Sequence, residues 1–222
     1  DNNGTGGSDI SLNVGVRGLT SRLSPRSTIL MDGVPLAVAP YGQPQLSMAP
    51  TSLGNLAAVD VVRGAGSVRY GPQNVGGIIN FVTRPIPQTF AADASVSTDI
   101  YSHGGNAKAN PTAFIGGTND NGLGGALLYS GVHGNGYRES NDNVDIDDLM
   151  LKGAYRISKT DELSAAFHYY EAHAGMPGGL TPEQFAANPF QSTRPFDDFS
   201  GRRTDFSLKY AHNDNNRKFE VL

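Results

Sequence analysis

The first ninety residues form a cationic segment whose basic side chains are all arginine. They contain six Arg, no Lys and four Asp, a net charge of +2, whereas residues 91–222 contain eleven basic and seventeen acidic residues, a net charge of −6. The planar guanidinium fork matches the two oxygens of a carboxylate. The segment therefore favours a small anionic ligand, and the acidic remainder of the chain argues against nucleic-acid binding.

Other residues that could do chemistry fail on their spacing. His168 and His173 are five residues apart, so on a strand they face opposite ways and cannot share a metal. The acidic run 142–148 lacks the glycine and glutamate positions of a calcium loop and is interpreted as a solvated loop. Gly64-Ala65-Gly66 lacks the Lys-Ser/Thr of a phosphate loop. With no cysteine and no Ser–His–Asp arrangement, we expect no catalysis, no metal site and no cofactor.

The elements of residues 1–87 have the pattern of a mixed α/β domain. Strands are predicted near Thr28–Met31, Val59–Arg63 and Ile78–Thr83, and Asp32-Gly33 predicts a turn after the first of them. Residues 52–58 are predicted to contain one or two helical turns. Pro85 and Pro87 end this segment, so we place a domain boundary at residue 87.

Residues 88–222 alternate between apolar and polar side chains with a period of two, which predicts strands. In 149–157 the odd-numbered apolar side chains share one face, while Met150, Lys152 and Arg156 share the other. Short turns at 158–161 and 212–217 alternate with long polar loops at 134–148 and 171–203. That alternation is typical of a transmembrane β-barrel. A soluble β-sandwich also alternates and stays open as an alternative.

The order of several motifs resembles the plug of TonB-dependent outer-membrane receptors. The matching segments are Val14–Gly18, Leu30–Pro35, Val59–Gly64, Tyr70-Gly71 and Gly76–Asn80. The resemblance implies a plug domain at 1–87, followed at 88–222 by the first strands of a transmembrane β-barrel with 22 strands in the family. About six strands are expected in this chain, which cannot close such a barrel. We also expect both chain ends to be cut.

A narrower resemblance is to the ferric citrate receptors within that family. It rests on Ala39–Ser47, Ser52–Asn55, Met176–Leu180, Gln191–Pro195 and Gly201–Arg203. By this resemblance Thr5, Arg17 and Gln45, together with the neighbouring Gln43, are candidate ligand-binding residues. Hydroxyl, guanidinium and amide groups donate to carboxylate oxygens. Citrate already coordinates the iron, so no iron ligand is expected from the protein.

The resemblance implies import of ferric dicitrate across the outer membrane of a Gram-negative bacterium. Implied partners are TonB with its inner-membrane energy-transducing complex, and outer-membrane lipid with lipopolysaccharide. The alternatives are a receptor for another ferric siderophore or anionic nutrient, and a soluble β-rich adhesin or enzyme domain. Two further sets of arginines are assigned. Arg63, Arg69 and Arg84 are predicted to anchor the plug to the barrel, and Arg194, Arg202 and Arg203 to lie on a solvated loop face.

Overall fold

The computed structural model of the protein describes residues 27–36, 50–63, 76–214 and 216–222. These residues form two β-sheets, which we call the inner sheet and the wall. The inner sheet consists of β1 (Ser27–Met31), β2 (Val34–Pro35), β3 (Leu56–Arg63) and β4 (Gly77–Thr83). The wall consists of β5 (Ala91–Ile100), β6 (Ala107–Thr118), β7 (Leu123–Asn135), β8 (Asn143–Arg156), β9 (Asp161–Gly175), β10 (Asp198–Asn213) and β11 (Lys218–Val221).

The inner sheet has the strand order β2-β1-β4-β3, with β1 and β4 parallel and the other pairs antiparallel. Asp32 and Gly33 form the predicted turn between β1 and β2, and both have positive φ, 49° and 84°. A two-residue hairpin of this kind requires positive φ, which explains the Asp-Gly pair. The prediction of a helix at 52–58 is wrong beyond one turn. Only Leu53–Asn55 forms a 3-10 turn, and Leu56 already begins β3.

The wall is an antiparallel meander in which each strand pairs with its neighbours in the chain. The described residues contain seven wall strands, one more than the approximately six expected. The wall is open, because β5 and β11 are its two edges. The domain boundary at residue 87 stays a prediction, although residues 84–90 do connect the two sheets without a strand of their own.

The two rims of the wall differ in the length of their connections. One rim carries tight turns, after β6, β8 and β10, and the other carries the longer connections 101–106, 136–142 and 176–197. The long loops are shorter than predicted because β7 and β8 extend into 134–148 and β9 and β10 into 171–203. The last loop contains α1 (Pro182–Ala187), which begins with a capping box between Thr181 and Gln184. In the described ranges no helix is long and apolar enough to cross a membrane.

The outward face of the wall carries an apolar band bordered by tyrosines. One row runs across five strands in register and consists of Ile115, Leu127, Leu151, Phe167 and Phe206. Leu151 is 45% exposed and Phe206 72%, although both are large and apolar. Tyr129 and Tyr169 lie one row nearer the long loops, and Tyr155 and Tyr210 lie toward the tight turns. Lipid-facing barrel walls have this arrangement of an apolar band between aromatic girdles.

The inward face of the wall is buried against the inner sheet. A single apolar cluster joins the two sheets and contains Ile29, Met31, Leu36, Ile79, Phe81, Phe114, Ala126, Leu128 and Met150. Met150 faces inward, into this cluster, whereas its neighbours Leu149 and Leu151 face outward. The alternation predicted for 149–157 is therefore confirmed. The inner sheet therefore fills the concave side of the wall.

We predict that Leu151→Arg destabilises the intact protein in lipid by about 2–4 kcal/mol, because it places a charge in the apolar band. Ser200→Arg is the control, since Ser200 lies on the same face but in a row beside the long loops. It should cost at most about 1 kcal/mol. Reversible unfolding in lipid vesicles measures both. Equal costs for the two variants would show that this face does not contact lipid.

Candidate functional site

The four predicted ligand-binding residues lie outside the described part of the chain. Thr5, Arg17, Gln43 and Gln45 all fall in the ranges 1–26 and 37–49, so their assignment stays a prediction. The described residues do contain the contacts that fix the inner sheet to the wall and the loops to one another.

Lys152 makes the first polar contact between the wall and the inner sheet. Its Nζ donates to the Arg84 carbonyl at 3.0 Å and to the Thr83 hydroxyl, and it lies 3.6 Å from Asp32 Oδ2. Asp32 in turn accepts the Thr83 amide at 2.9 Å. The lysine is largely buried, and its charge is balanced by the carboxylate of the β1–β2 turn. One wall side chain thus ties the turn and the end of β4 together.

A buried group of three polar side chains makes the second contact. The Asn55 amide donates from Nδ2 to Asp148 Oδ1 at 3.0 Å and to the Asp148 carbonyl at 3.2 Å. His168 Nε2 lies 2.8 Å from the same Oδ1. Asp148 is 1% exposed, Asn55 3% and His168 6%. A carboxylate buried this deeply requires donors around it, and β9 and the 3-10 turn supply them.

This contact corrects the interpretation of the acidic run 142–148 as a solvated loop. Residues from Asn143 onward belong to β8, and Asp148 faces inward between Asp147 and Leu149, which face outward. The two histidines lie on opposite faces of β9, as their spacing requires, and only His168 is in the buried group. Among the described residues no set of histidine and acidic side chains is arranged to hold a metal ion.

Gly54 allows the 3-10 turn to lie directly against the wall. A Cβ atom at this position would be 2.5 Å from Thr112 Cγ2 on β6 and 2.9 Å from Ser130 Oγ on β7. Real Cβ atoms do not approach other atoms so closely. The close approach brings Asn55 within reach of Asp148, so the Ser-Leu-Gly-Asn motif has a structural role at this interface.

The predicted anchoring role of Arg84 is confirmed. Its guanidinium donates to Asp93 on β5 from two nitrogens, one at 2.9 Å, and its Cζ lies 3.7 Å from the centre of the Phe114 ring. Arg63 ends β3 with an exposed side chain, and Arg69 lies outside the described ranges. Arg84 therefore holds the segment between the two sheets against the first wall strand.

The loops at the long-loop rim are connected to one another through backbone carbonyls. Arg138 Nε donates to the Gln191 carbonyl at 2.8 Å and its Nη2 to the Gly178 carbonyl at 3.2 Å. Asn141 Nδ2 donates to the carbonyls of Arg194 and Asp197, at 2.7 and 2.6 Å. The loop 136–142 thus supports the longer loop 176–197. The Arg138 guanidinium is engaged by these carbonyls and contributes to loop structure.

A ring contact joins the first long connection to the last, and a hydrogen-bonded carboxyl lies at the start of α1. The ring of His103 in the loop after β5 stacks on Phe190, with centroids 3.6 Å apart. At the start of α1, the Glu183 backbone amide and the Thr181 hydroxyl hold the pKa of the Glu183 carboxyl below its usual value. All three long connections therefore form one body.

The three arginines that are predicted to lie on a solvated loop face differ in position and exposure. Arg194 fits that prediction, since its side chain is 63% exposed and pairs with Asp197 at 3.1 Å. Arg202 is exposed on the outward face of β10. For Arg203 the prediction is wrong, because it faces inward and its Nη1 donates to the Leu36 carbonyl of the inner sheet at 2.7 Å.

Comparison with known proteins identifies this architecture. Residues 2–78 match the model of the TonB-dependent receptor plug domain. The structure superposes on that of the unliganded ferric citrate transporter FecA with a TM-score of 0.92 and 51% sequence identity, over 99% of this chain and 34% of that one. The chain belongs to the TonB-dependent receptors. The inner sheet is thus part of the plug, and the wall is an unclosed part of the barrel.

More distant receptors share the fold alone. The siderophore receptors PirA from Pseudomonas aeruginosa and from Acinetobacter baumannii match with TM-scores of 0.64 and 0.68, at 13% and 14% identity. They cover 94% and 92% of this chain, which spans 34% and 32% of their lengths. The chain therefore covers about a third of each receptor that it matches.

We predict that Lys152→Met weakens the docking of the plug by about 1–3 kcal/mol, the usual cost of leaving buried polar partners unpaired. Lys209→Met is a matched control. The Lys209 side chain is 40% exposed, and its ion pair with Glu220, at 3.6 Å, is exposed to solvent. It should change stability by less than about 0.5 kcal/mol. Urea unfolding of the intact receptor, followed by protease access to the plug, measures the difference. Indistinguishable variants would contradict the role of Lys152.

We also predict that Gly54→Ala destabilises the plug–barrel interface by about 1–3 kcal/mol, the usual cost of overpacking. Gly153→Ala on β8 is the control, since a Cβ atom there would have no neighbour within 4 Å. Thermal unfolding of the intact receptor measures both variants. If Gly54→Ala has the same melting temperature as the wild type, Gly54 is not required for the close contact between the 3-10 turn and the wall.

Proposed function

We propose that the intact protein imports ferric citrate across the outer membrane of a Gram-negative bacterium, with energy relayed by TonB from an inner-membrane complex. The observation that supports this most strongly is 51% identity with the ferric citrate transporter along 99% of the chain. The function belongs to the intact receptor, of which this chain supplies the plug and the first part of the barrel. The chemistry is binding and transport, without a bond-making step by the protein.

The ligand would be recognised through its carboxylates. Ferric citrate is anionic, and its iron is cargo that citrate already coordinates. Arg17 would supply a charge-assisted fork, Thr5 a hydroxyl, and Gln43 and Gln45 amide donors, all of which suit carboxylate oxygens. The arginine-only cationic character of residues 1–90 supports this assignment from composition, independently of the resemblance.

The described geometry fits a transporter that is closed in this state. The inner sheet packs against the concave side of the wall through an apolar cluster, and Lys152 and Asp148 add polar contacts. Passage of an anion along this side of the wall therefore requires the inner sheet to move. A pull from the periplasmic side, which the tight-turn rim would face, is the kind of force that could move it.

Other functions are less well supported. No observation favours another ferric siderophore or anionic nutrient over citrate, since the PirA receptors match at 13% and 14% identity and share the fold alone. The soluble β-rich adhesin or enzyme has no support either, because the plug model matches residues 2–78 and the outward face of the wall is apolar. Contacts with outer-membrane lipid and lipopolysaccharide follow from the same proposal.

We predict that Arg17→Ala and Gln45→Ala each weaken ferric citrate binding to the intact receptor. The loss should be about 10- to 100-fold for Arg17, because a charged hydrogen bond contributes about 1.5–3 kcal/mol. A neutral amide contributes about 1 kcal/mol, so the loss for Gln45 should be about fivefold. Arg194→Ala is the control, since Arg194 is exposed and pairs within its own loop. Titration calorimetry measures the affinities.

Unchanged affinity in both variants would reject these site residues. A growth assay in a receptor-null strain tests the cargo separately, with ferric citrate or another ferric siderophore as the sole iron source. Growth restored only by a different siderophore would reject ferric citrate as the cargo.

A further inference from the structure

Two points of the inner sheet are held by one row of the wall. In the register of β8, β9 and β10, Asp148 lies opposite Tyr170, and Tyr170 lies opposite Arg203. Asp148 binds Asn55, and Arg203 binds the Leu36 carbonyl. The two ends of this three-strand row therefore hold two positions that are 19 residues apart in the sequence.

Arg203 is oriented for its contact by a neighbour on its own strand. Its Nε and Nη2 donate to the two carboxylate oxygens of Asp205, at 2.7 and 2.9 Å. This bidentate pairing fixes the plane of the guanidinium and directs Nη1 to the Leu36 carbonyl at 2.7 Å. Leu36 is also fixed by its side chain, which is 6% exposed in the apolar cluster. A lysine at this position could not reproduce the planar, bidentate pairing with Asp205.

Asp148 holds the other point with comparable specificity. Its Oδ1 accepts from Asn55 Nδ2 at 3.0 Å and lies 2.8 Å from His168 Nε2, so two neighbouring groups fix the orientation of the carboxylate. The side-chain oxygen of Asn55, Oδ1, is buried and has no hydrogen-bond partner among the described residues. The Nδ2 group of the same side chain makes two hydrogen bonds to Asp148, so Asn55 is held through its donor.

We propose that Arg203 and Asp148 are positioning residues for ligand binding, acting through the plug backbone that they hold and not through contact with the ligand. This inference rests on the proposed function, because the chain between Leu36 and Asn55 carries Gln43 and Gln45. Arg203 and Asp148 fix Leu36 and Asn55, the two described residues that flank this part of the chain. Preorganisation of a binding site raises affinity because less entropy is lost on binding. The affinity for the anion would then depend on barrel residues that do not contact it.

The position of Arg203 also connects this row to the loops. Arg203 lies five residues into β10, which begins directly after the loop 176–197. One continuous strand, β10, therefore connects the loop 176–197 to the contact with the plug.

The experiment compares Arg203→Ala with Arg202→Ala in the intact receptor. The two arginines are adjacent on β10 but face opposite sides, so they match in type, charge and sequence position. Arg203→Ala should raise the dissociation constant for ferric citrate about tenfold, within the usual range of coupling between sites. Arg202→Ala should change it less than twofold. Arg203→Lys should fall between the wild type and Arg203→Ala, and it carries the test if Arg203→Ala does not fold.

Two further readouts separate positioning from a general loss of structure. TonB-dependent uptake by Arg203→Ala should show a raised half-saturation concentration with an unchanged maximal rate. Hydrogen exchange should accelerate at the Leu36 amide, which donates to the Ile29 carbonyl at 3.0 Å, and not in Arg202→Ala. A lowered maximal rate with unchanged half-saturation would overturn the proposal.

The affinities distinguish failure of this inference from failure of the proposed function. If Arg17→Ala weakens binding and Arg203→Ala does not, positioning is rejected and the function stands. If Arg202→Ala weakens binding as much as Arg203→Ala, the effect is one of net charge and positioning is again rejected. If the wild-type receptor does not bind ferric citrate, the proposed function fails and the positioning role fails with it.

Discussion

The packing of the inner sheet on the concave face of the wall determines the rest of this structure. That face carries Asp148, Lys152 and Arg203 among apolar side chains, and such groups are stable away from water only with partners. The inner sheet supplies the partners as an amide, a turn carboxylate and backbone carbonyls. Each partner comes from a different strand or turn, so the three contacts together fix the inner sheet at several points. The polar groups of the wall therefore help to set the position of the described part of the plug.

Local rules account for much of what the sequence predicted correctly. The Asp32-Gly33 turn follows from the need for positive φ, and the faces of β8 follow from period-two alternation through Met150 and Leu151. Of the one or two helical turns expected at 52–58 only one forms, because residues 56–58 pair with β4, and the pairing outweighs the helix propensity of Leu and Ala. Strand pairing also extended β8 and β10 into segments that looked like polar loops. Tertiary pairing, which local composition does not encode, decided those boundaries.

The site contacts were harder to foresee for a geometric reason. Asn55 and Asp148 are 93 residues apart and Leu36 and Arg203 are 167 apart, so no local pattern joins them. One signal was nevertheless present in the sequence. Lys152 falls on the same face as Met150, opposite the apolar face that includes Leu151, and a charge on the inner face of a barrel normally has a partner. The type of residue indicated a contact, and only the fold identified the partner.

The balance of apolar and polar contacts constrains how such a plug could move. A hydrogen bond exchanged for water costs a net of about 0.5–1.5 kcal/mol, so the contacts of Lys152 and Arg203 are replaceable once water enters. The apolar cluster has no such replacement, since exposing each large side chain costs about 1.5–3 kcal/mol. Resistance to movement therefore lies mainly in Ile29, Phe81 and their neighbours, and the polar contacts mainly set position. A force that separates β1 and β4 from the wall would act against the apolar cluster first, and water would then release the rest.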